Sequence, residues 1–281
     1  MAGHLGHGGQ WGFLHHGAAS METPVTTSYQ LGYVVLSYAI SVLGGFIALT
    51  SAMRIRQRNG RIHVGNTIAA GLALGGIGVW SMHFIGMLAL RLDVGSSYSM
   101  VETGTSLVAA VVGSALALGF VAKAPRQPGR LLFAGVLLGA GVVVMHYLGM
   151  YGMKINGYIR WDYTVVGISA AIAVVAATAA LWLAFNTRGL GLRVAAGLLM
   201  GVAVCAMHYT GMGAAEFVCT TTERGASPRG FGFLHPSDLP NVVAFGAMSI
   251  AALIVVYLLY QEGTDFEDTF EPTLNPALKS R

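Results

Sequence analysis

Seven long apolar stretches alternate with short polar segments along this chain. They lie at about 29–53, 64–90, 101–122, 131–152, 163–185, 194–215 and 242–260. About 20 apolar residues cross the hydrocarbon core of a bilayer, so each stretch predicts a transmembrane helix. Asp238 and Pro240 have the form of a helix start ahead of the seventh. The expected fold is an all-α membrane protein, a seven-transmembrane helix bundle.

Composition agrees. The chain is 54% hydrophobic and only 10% charged, with a mean hydropathy of +0.64, where soluble domains carry about 25% charged residues. The partner is therefore the lipid bilayer. The net charge of +4 comes from basic residues clustered in loops; they form no stripe, and nucleic acid is excluded as a partner. Two cysteines, Cys205 and Cys219, offer no disulfide framework. Residues 1–28 are rich in Gly and His (His4, His7, His15, His16) and read as a flexible extracytoplasmic tail. Residues 29–260 form the membrane domain. Residues 261–281, acidic and then Pro-containing, read as a disordered cytoplasmic tail. The first apolar run lacks a basic region before it and is followed by Arg54, Arg56 and Arg58, so it is expected to stay as a span and not to be cleaved as a signal peptide.

Loop charge predicts orientation. The loops after spans one, three and five carry Arg54, Arg56, Arg58, Arg61, Lys123, Arg126, Arg130, Arg188 and Arg193. The longer loops after spans two, four and six carry Arg91, Lys154, Arg160, Arg224 and Arg229. The positive-inside rule places the first set in the cytoplasm, leaving the N-terminus outside and the C-terminus inside.

Three segments of the chain are near copies: Met82-His83-Phe84-Ile85-Gly86-Met87, Met145-His146-Tyr147-Leu148-Gly149-Met150 and Met207-His208-Tyr209-Thr210-Gly211-Met212. They start 63 and then 62 residues apart, which marks an internal repeat. All fall near the ends of even-numbered spans, so the unit is a pair of helices: three two-helix repeats plus a seventh helix. At 1.5 Å per residue the three histidines lie ~28, ~22 and ~21 Å from the cytoplasmic ends of their helices, a common depth in the outer third of the core. In a helix, residues four apart share a face, so His83/Met87, His146/Met150 and His208/Met212 each present an imidazole and a thioether on one stripe. Imidazole suits copper, zinc and iron, and thioether sulfur favours Cu(I). A lone His in an apolar helix is ordinarily a hydrogen-bonded core residue; three at equal spacing and depth predict one site. The glycine pairs Gly135/Gly139 and Gly197/Gly201, and Gly75, Gly76 and Gly78, are packing positions between helices.

The repeated motif, on alternate helices of a seven-span bundle, resembles the MHYT domain of bacterial membrane sensors. The third copy has all four letters in Met207-His208-Tyr209-Thr210; the second has Leu148 for Thr, and the first has Phe84 and Ile85 for Tyr-Thr. The resemblance covers about residues 29–260. It implies copper, as Cu(I), held near the outer membrane face by His83, His146 and His208 with Met82, Met87, Met145, Met150, Met207 and Met212. It also implies a sensing role for a diatomic gas, O2, CO or NO. Many members continue into cyclic-di-GMP synthesis or hydrolysis domains or a kinase; here about 20 residues follow the seventh span, so the signal is expected to pass to a separate cytoplasmic signalling protein.

Other readings stay open from the residues. Copper uptake, buffering or delivery would use the His-rich tail as a collector. A zinc-dependent membrane hydrolase could use three His and a water; it would want an acid or base, and Asp93, Glu102 and Glu216 are the nearby carboxylates. Haem fits an odd number of His at one depth less well. Cys205, three residues before His208, could add a thiolate, and Tyr147 and Tyr209 could donate hydrogen bonds beside the site. The expectation is a binding protein and not an enzyme.

Overall fold

The computed structural model describes residues 22–57 and 59–274, with side chains to residue 261. Seven helices have the length and apolar composition to cross a membrane. They are α1 Leu31–Ala52, α2 Val64–Ala89, α3 Met100–Ala122, α4 Pro128–Gly152, α5 Tyr163–Asn186, α6 Leu190–Gly213 and α7 Leu239–Leu274. Local chemistry sets several ends. Pro128 begins α4 at a position where a missing N–H costs nothing. The Asp162 carboxylate accepts from the Thr164 and Val165 amides and caps α5.

The two-helix repeat becomes a pseudo-threefold ring. The motif helices α2, α4 and α6 form the inside. Each of the other repeat helices seats between two of them: α3 against α2 and α4, α5 against α4 and α6, and α1 against α6 and α2. Glycines on the inner helices make these contacts close. A Cβ on Gly75 would strike the Ala110 backbone of α3, on Gly139 the Val174 backbone of α5, and on Gly201 the Val42 and Tyr38 side chains of α1. α7 packs on α2. Covered from every side, α2 is 89% buried, against 17–39% for the other six spans; their outer faces are the apolar surface a bilayer would cover.

Within α2, residues Leu72–Ser81 form a π-helical stretch. Gly75, Gly76 and Gly78 permit it, and the Ser81 hydroxyl donates to the Gly76 carbonyl at 2.9 Å. A Cβ on Gly44 of α1 would collide with the Gly78 backbone, so the two backbones meet here.

The segments at the histidine end are more ordered than their polar composition suggests. They form eight short strands: β1 Thr23–Pro24, β2 Thr27–Tyr29, β3 Leu90–Leu92, β4 Ser96–Ser99, β5 Met153–Ile155, β6 Gly157–Trp161, β7 Ala215–Cys219 and β8 Phe233–Leu234. Three antiparallel sheets result, in the orders β1-β7-β6, β2-β3 and β5-β4-β8. They close the histidine end of the bundle, where loop backbone needs partners. Two expected boundaries shift accordingly. Thr23, Pro24, Thr27 and Ser28 of the expected N-terminal tail lie in strands; the four tail histidines lie outside the described residues. The seventh helix continues past 260 to Leu274, and residues 275–281 of the expected C-terminal tail lie outside the described residues.

Candidate metal centre

His83, His146 and His208 converge on the axis of the ring. They are 0–1% exposed. Nδ1 of His83 lies 3.1 Å from Nδ1 of His146 and 3.1 Å from Nδ1 of His208. The three ligand nitrogens all fall within 4.8 Å of one another, and the ring centroids are 4.9, 5.0 and 5.2 Å apart at interplanar angles of 79–88°. Metal–nitrogen bonds are about 2.0–2.1 Å long, so nitrogens sharing one ion sit a little over 3 Å apart.

The opposite edge of each ring is placed by the repeat. Nε2 of His83 faces Gly149, that of His146 faces Gly211, and that of His208 faces Gly86; a Cβ at any of the three glycines would overlap the facing nitrogen. Each motif thus supplies an imidazole and receives the imidazole of another. The Gly211 backbone comes near enough to interact with His146, yet no Nε2 makes a hydrogen bond of sound geometry.

These observations test whether a metal fits. A neutral imidazole carries one proton. With the protons on Nε2, facing the glycine backbone, the three Nδ1 lone pairs are free to share a cation. That is the tautomer a metal-binding histidine adopts, its other nitrogen turned to backbone or carboxylate. The residues fit a cation held by three Nδ1 atoms.

The six motif methionines are all buried, between 0 and 3% exposed, in the helical turns flanking the histidines. Tyr147 donates to or accepts from Ser169 of α5 at 2.7 Å, and Tyr209 pairs with Ser37 of α1 at 3.0 Å. In the first repeat, where Phe84 has no hydroxyl, the corresponding helix offers Ser106, and Trp80 Nε1 bonds it at 3.2 Å. Ser37, Ser106 and Ser169 are all 0% exposed. Sequence reasoning overlooked them; the available signal was one serine in each odd-numbered span of the repeats, at the depth of the motif.

The remaining candidates lie elsewhere. Cys205 interacts with Ser37 and faces α1, and it is absent from the cluster of ligand atoms. Glu102 bonds Lys154 at 2.8 Å and also Ser99. Asp93 pairs with Arg224 at 2.8 Å, and Glu216 with Arg160 at 3.2 Å.

A chamber of about 40 Å³ lies directly beneath the triad. Val79, Val142 and Val204, each four residues before a motif histidine, line it. Leu138 and Met200 follow four residues earlier, and Leu74 five earlier, the extra residue matching the π-helical stretch of α2. Ala173, Ala176, Ala177 and Ala180 of α5 complete a hydrocarbon wall.

A seven-helix membrane protein with one buried histidine from each of three repeats is thereby defined. The chain belongs to the MHYT family, described as a bacterial signalling protein N-terminal repeat, which matches residues 11–65, 76–134 and 139–197. It is 37% identical over 235 residues to the bifunctional diguanylate cyclase/cyclic di-GMP phosphodiesterase MucR of Pseudomonas aeruginosa, covering 82% of this chain and 34% of that protein. It is 34% identical over 197 residues to an uncharacterized signaling protein of Caulobacter vibrioides, 70% of this chain and 24% of the relative. It is 29% identical over 204 residues to signaling protein YkoW of Bacillus subtilis, 70% and 25% respectively. The matches span about a third or less of each relative's length. No solved structure matches the chain.

Proposed function

We propose that this chain is the sensing unit of a membrane signalling system, holding one copper ion on His83, His146 and His208 and responding to a diatomic gas. The observation that carries the reading is the convergence of three buried Nδ1 atoms from three repeats. Bound Cu(I) would supply a soft Lewis acid able to take O2, CO or NO. The chain's own residues do the rest. The imidazoles fix the ion, Gly86, Gly149 and Gly211 make room for their outer edges, the methionines surround them with soft, polarisable side chains, and the strand cap shields the outer end from water. The signal would pass to cyclic-di-GMP enzymes or another cytoplasmic protein, as the names of the relatives suggest.

The chamber supports sensing over inward transport. An ion leaving the triad toward the opposite end would enter a space walled by Val, Leu, Met and Ala, at a cost no polar group offsets. A small uncharged molecule enters such a space readily. The ion pairs of Asp93, Glu102 and Glu216 leave these carboxylates committed, which speaks against a zinc hydrolase drawing on them.

Elemental analysis of the protein purified in mild detergent tests the metal. Wild type is expected to retain copper over zinc, and His146→Ala to lose most of it. Met150→Leu should lose less, since thioethers bind more weakly than imidazoles. Replacing His4, His7, His15 and His16 together should leave the copper in place. Equal copper and zinc in wild type and in the His83/His146/His208 triple variant would reject the proposal.

A further inference from the structure

At the end of the bundle opposite the histidines, α1, α3 and α5 finish around an open cavity of about 900 Å³. Its wall carries Arg56 from the first repeat, Lys123 and Arg126 from the second and Arg188 from the third, and no carboxylate. Arg126 and Arg188 are 62 residues apart, the interval separating His146 from His208, so they are repeat-equivalent.

Some basic side chains at this end are engaged and others are not. Arg130 donates to the Phe120 carbonyl at 3.2 Å and stacks on its ring at 4.7 Å. Arg193 donates to Thr50 and Gly189 at 3.3 and 3.4 Å, and Arg54 is engaged as well. By contrast, the side chains of Arg56, Lys123, Arg126 and Arg188 make no hydrogen bond or ion pair among the described residues, and all four are exposed. Topology alone would ask only for positive charge somewhere in these loops; it does not ask that four of the five unengaged cations described here, all but Arg61, ring one cavity.

Helix dipoles do not account for them either. Three helix C-termini contribute roughly −0.5 charge each, about −1.5 together, against four full positive charges. An excess of roughly 2.5 positive charges remains in a concave site, where field lines concentrate. Guanidinium groups meet phosphate oxygens in paired hydrogen bonds. The floor, Ala52 and Ala184, is apolar and buried.

We infer that this cavity is a binding site for a phosphate-bearing anion that bridges all three repeats. Two sources share that chemistry: the headgroup of an anionic phospholipid in the adjoining leaflet, and a soluble phosphate compound. The site is independent of the metal centre and stands or falls without it.

The test uses the full chain in lipid nanodiscs, with helix content checked by circular dichroism. One arm measures pyrophosphate binding by calorimetry in phosphatidylcholine discs. The other counts phosphatidylglycerol molecules retained after extraction from mixed phosphatidylcholine–phosphatidylglycerol vesicles, by native mass spectrometry. Arg126→Gln and Arg188→Gln are each compared with Arg61→Gln, which removes the same charge outside the cavity. A charge-assisted hydrogen bond contributes about 1.5–3 kcal/mol, so each cavity variant is expected to weaken binding by about tenfold or more. Arg61→Gln should change it little. A loss confined to the pyrophosphate arm assigns a soluble ligand, and one confined to phosphatidylglycerol assigns lipid. Equal weakening by Arg61→Gln, or wild-type binding in neither arm, overturns the inference.

Discussion

Nε2 of His83 points at Gly149, into the space a side chain at that position would need. Gly211 stands in the same relation to His146, and Gly86 to His208. The motif glycine has a specific role in the fold. It is the socket for another repeat's imidazole, and it explains why His and Gly travel together at a spacing of three. Gly149→Ala is therefore expected to displace the His83 ring and cut copper content by more than half, while helix content stays near wild type. Overpacking of this kind costs about 1–3 kcal/mol. Gly104→Ala in α3 is the control, since nothing lies within 4 Å of a Cβ there. It should keep the metal and gain about 0.5–1 kcal/mol from helix propensity. Equal metal in both variants would show that the socket is not needed.

Tyr209 and Ser37 provide a second test. Removing the Tyr209 hydroxyl leaves Ser37 still donating to the Val34 carbonyl at 2.8 Å, so no buried group is orphaned. Tyr209→Phe should cost about 1 kcal/mol, the net worth of one neutral hydrogen bond, read as a modest fall in melting temperature in detergent. Copper content should not change, because Phe84 already occupies this position in the first repeat. A variant that lost copper would make the hydroxyl part of the site.

The helices, their repeat and the histidine cluster were legible because each leaves a periodic or positional trace. Span length is read from apolar runs, and a common depth for His83, His146 and His208 follows from counting residues. The strand cap left no such trace: segments of two to five residues, such as Gly157–Trp161, gain their order from pairing across the chain, as Tyr158 does with Val218. The π-helical stretch was hidden for a related reason. Its glycines read equally well as packing sites, and only the approach of Gly44 to Gly78 shows why the helix widens. Ser37, Ser106 and Ser169 are single residues whose meaning depends on which helix faces which.

Orientation follows from loop charge. The basic loops lie at the end away from the histidines, so the positive-inside rule predicts that the strand cap and the triad face outward. Reporter fusions after Arg281 and within residues 154–161 should report opposite sides, with the first cytoplasmic. The same side for both would require an even number of spans between them and would contradict the seven-helix path.

The chamber beneath the triad yields the most direct test of ligand access. At about 40 Å³ it has room for a small molecule. Its apolar wall offers water no polar partner, and apolar spaces of this kind bind xenon. Metal-free protein should therefore take up xenon, detectable by NMR of the dissolved gas. Ala176→Leu pushes three heavy atoms into the space from α5 and should abolish that uptake while leaving His83, His146 and His208 undisturbed. In copper-loaded protein the same variant should slow carbon monoxide uptake, followed by infrared spectroscopy, without lowering copper content. The two readouts separate the possible failures. Xenon uptake unaffected by Ala176→Leu would mean the chamber is not the binding space. Loss of xenon with unchanged carbon monoxide kinetics would mean that the gas reaches the triad by another path, through the strand cap above it.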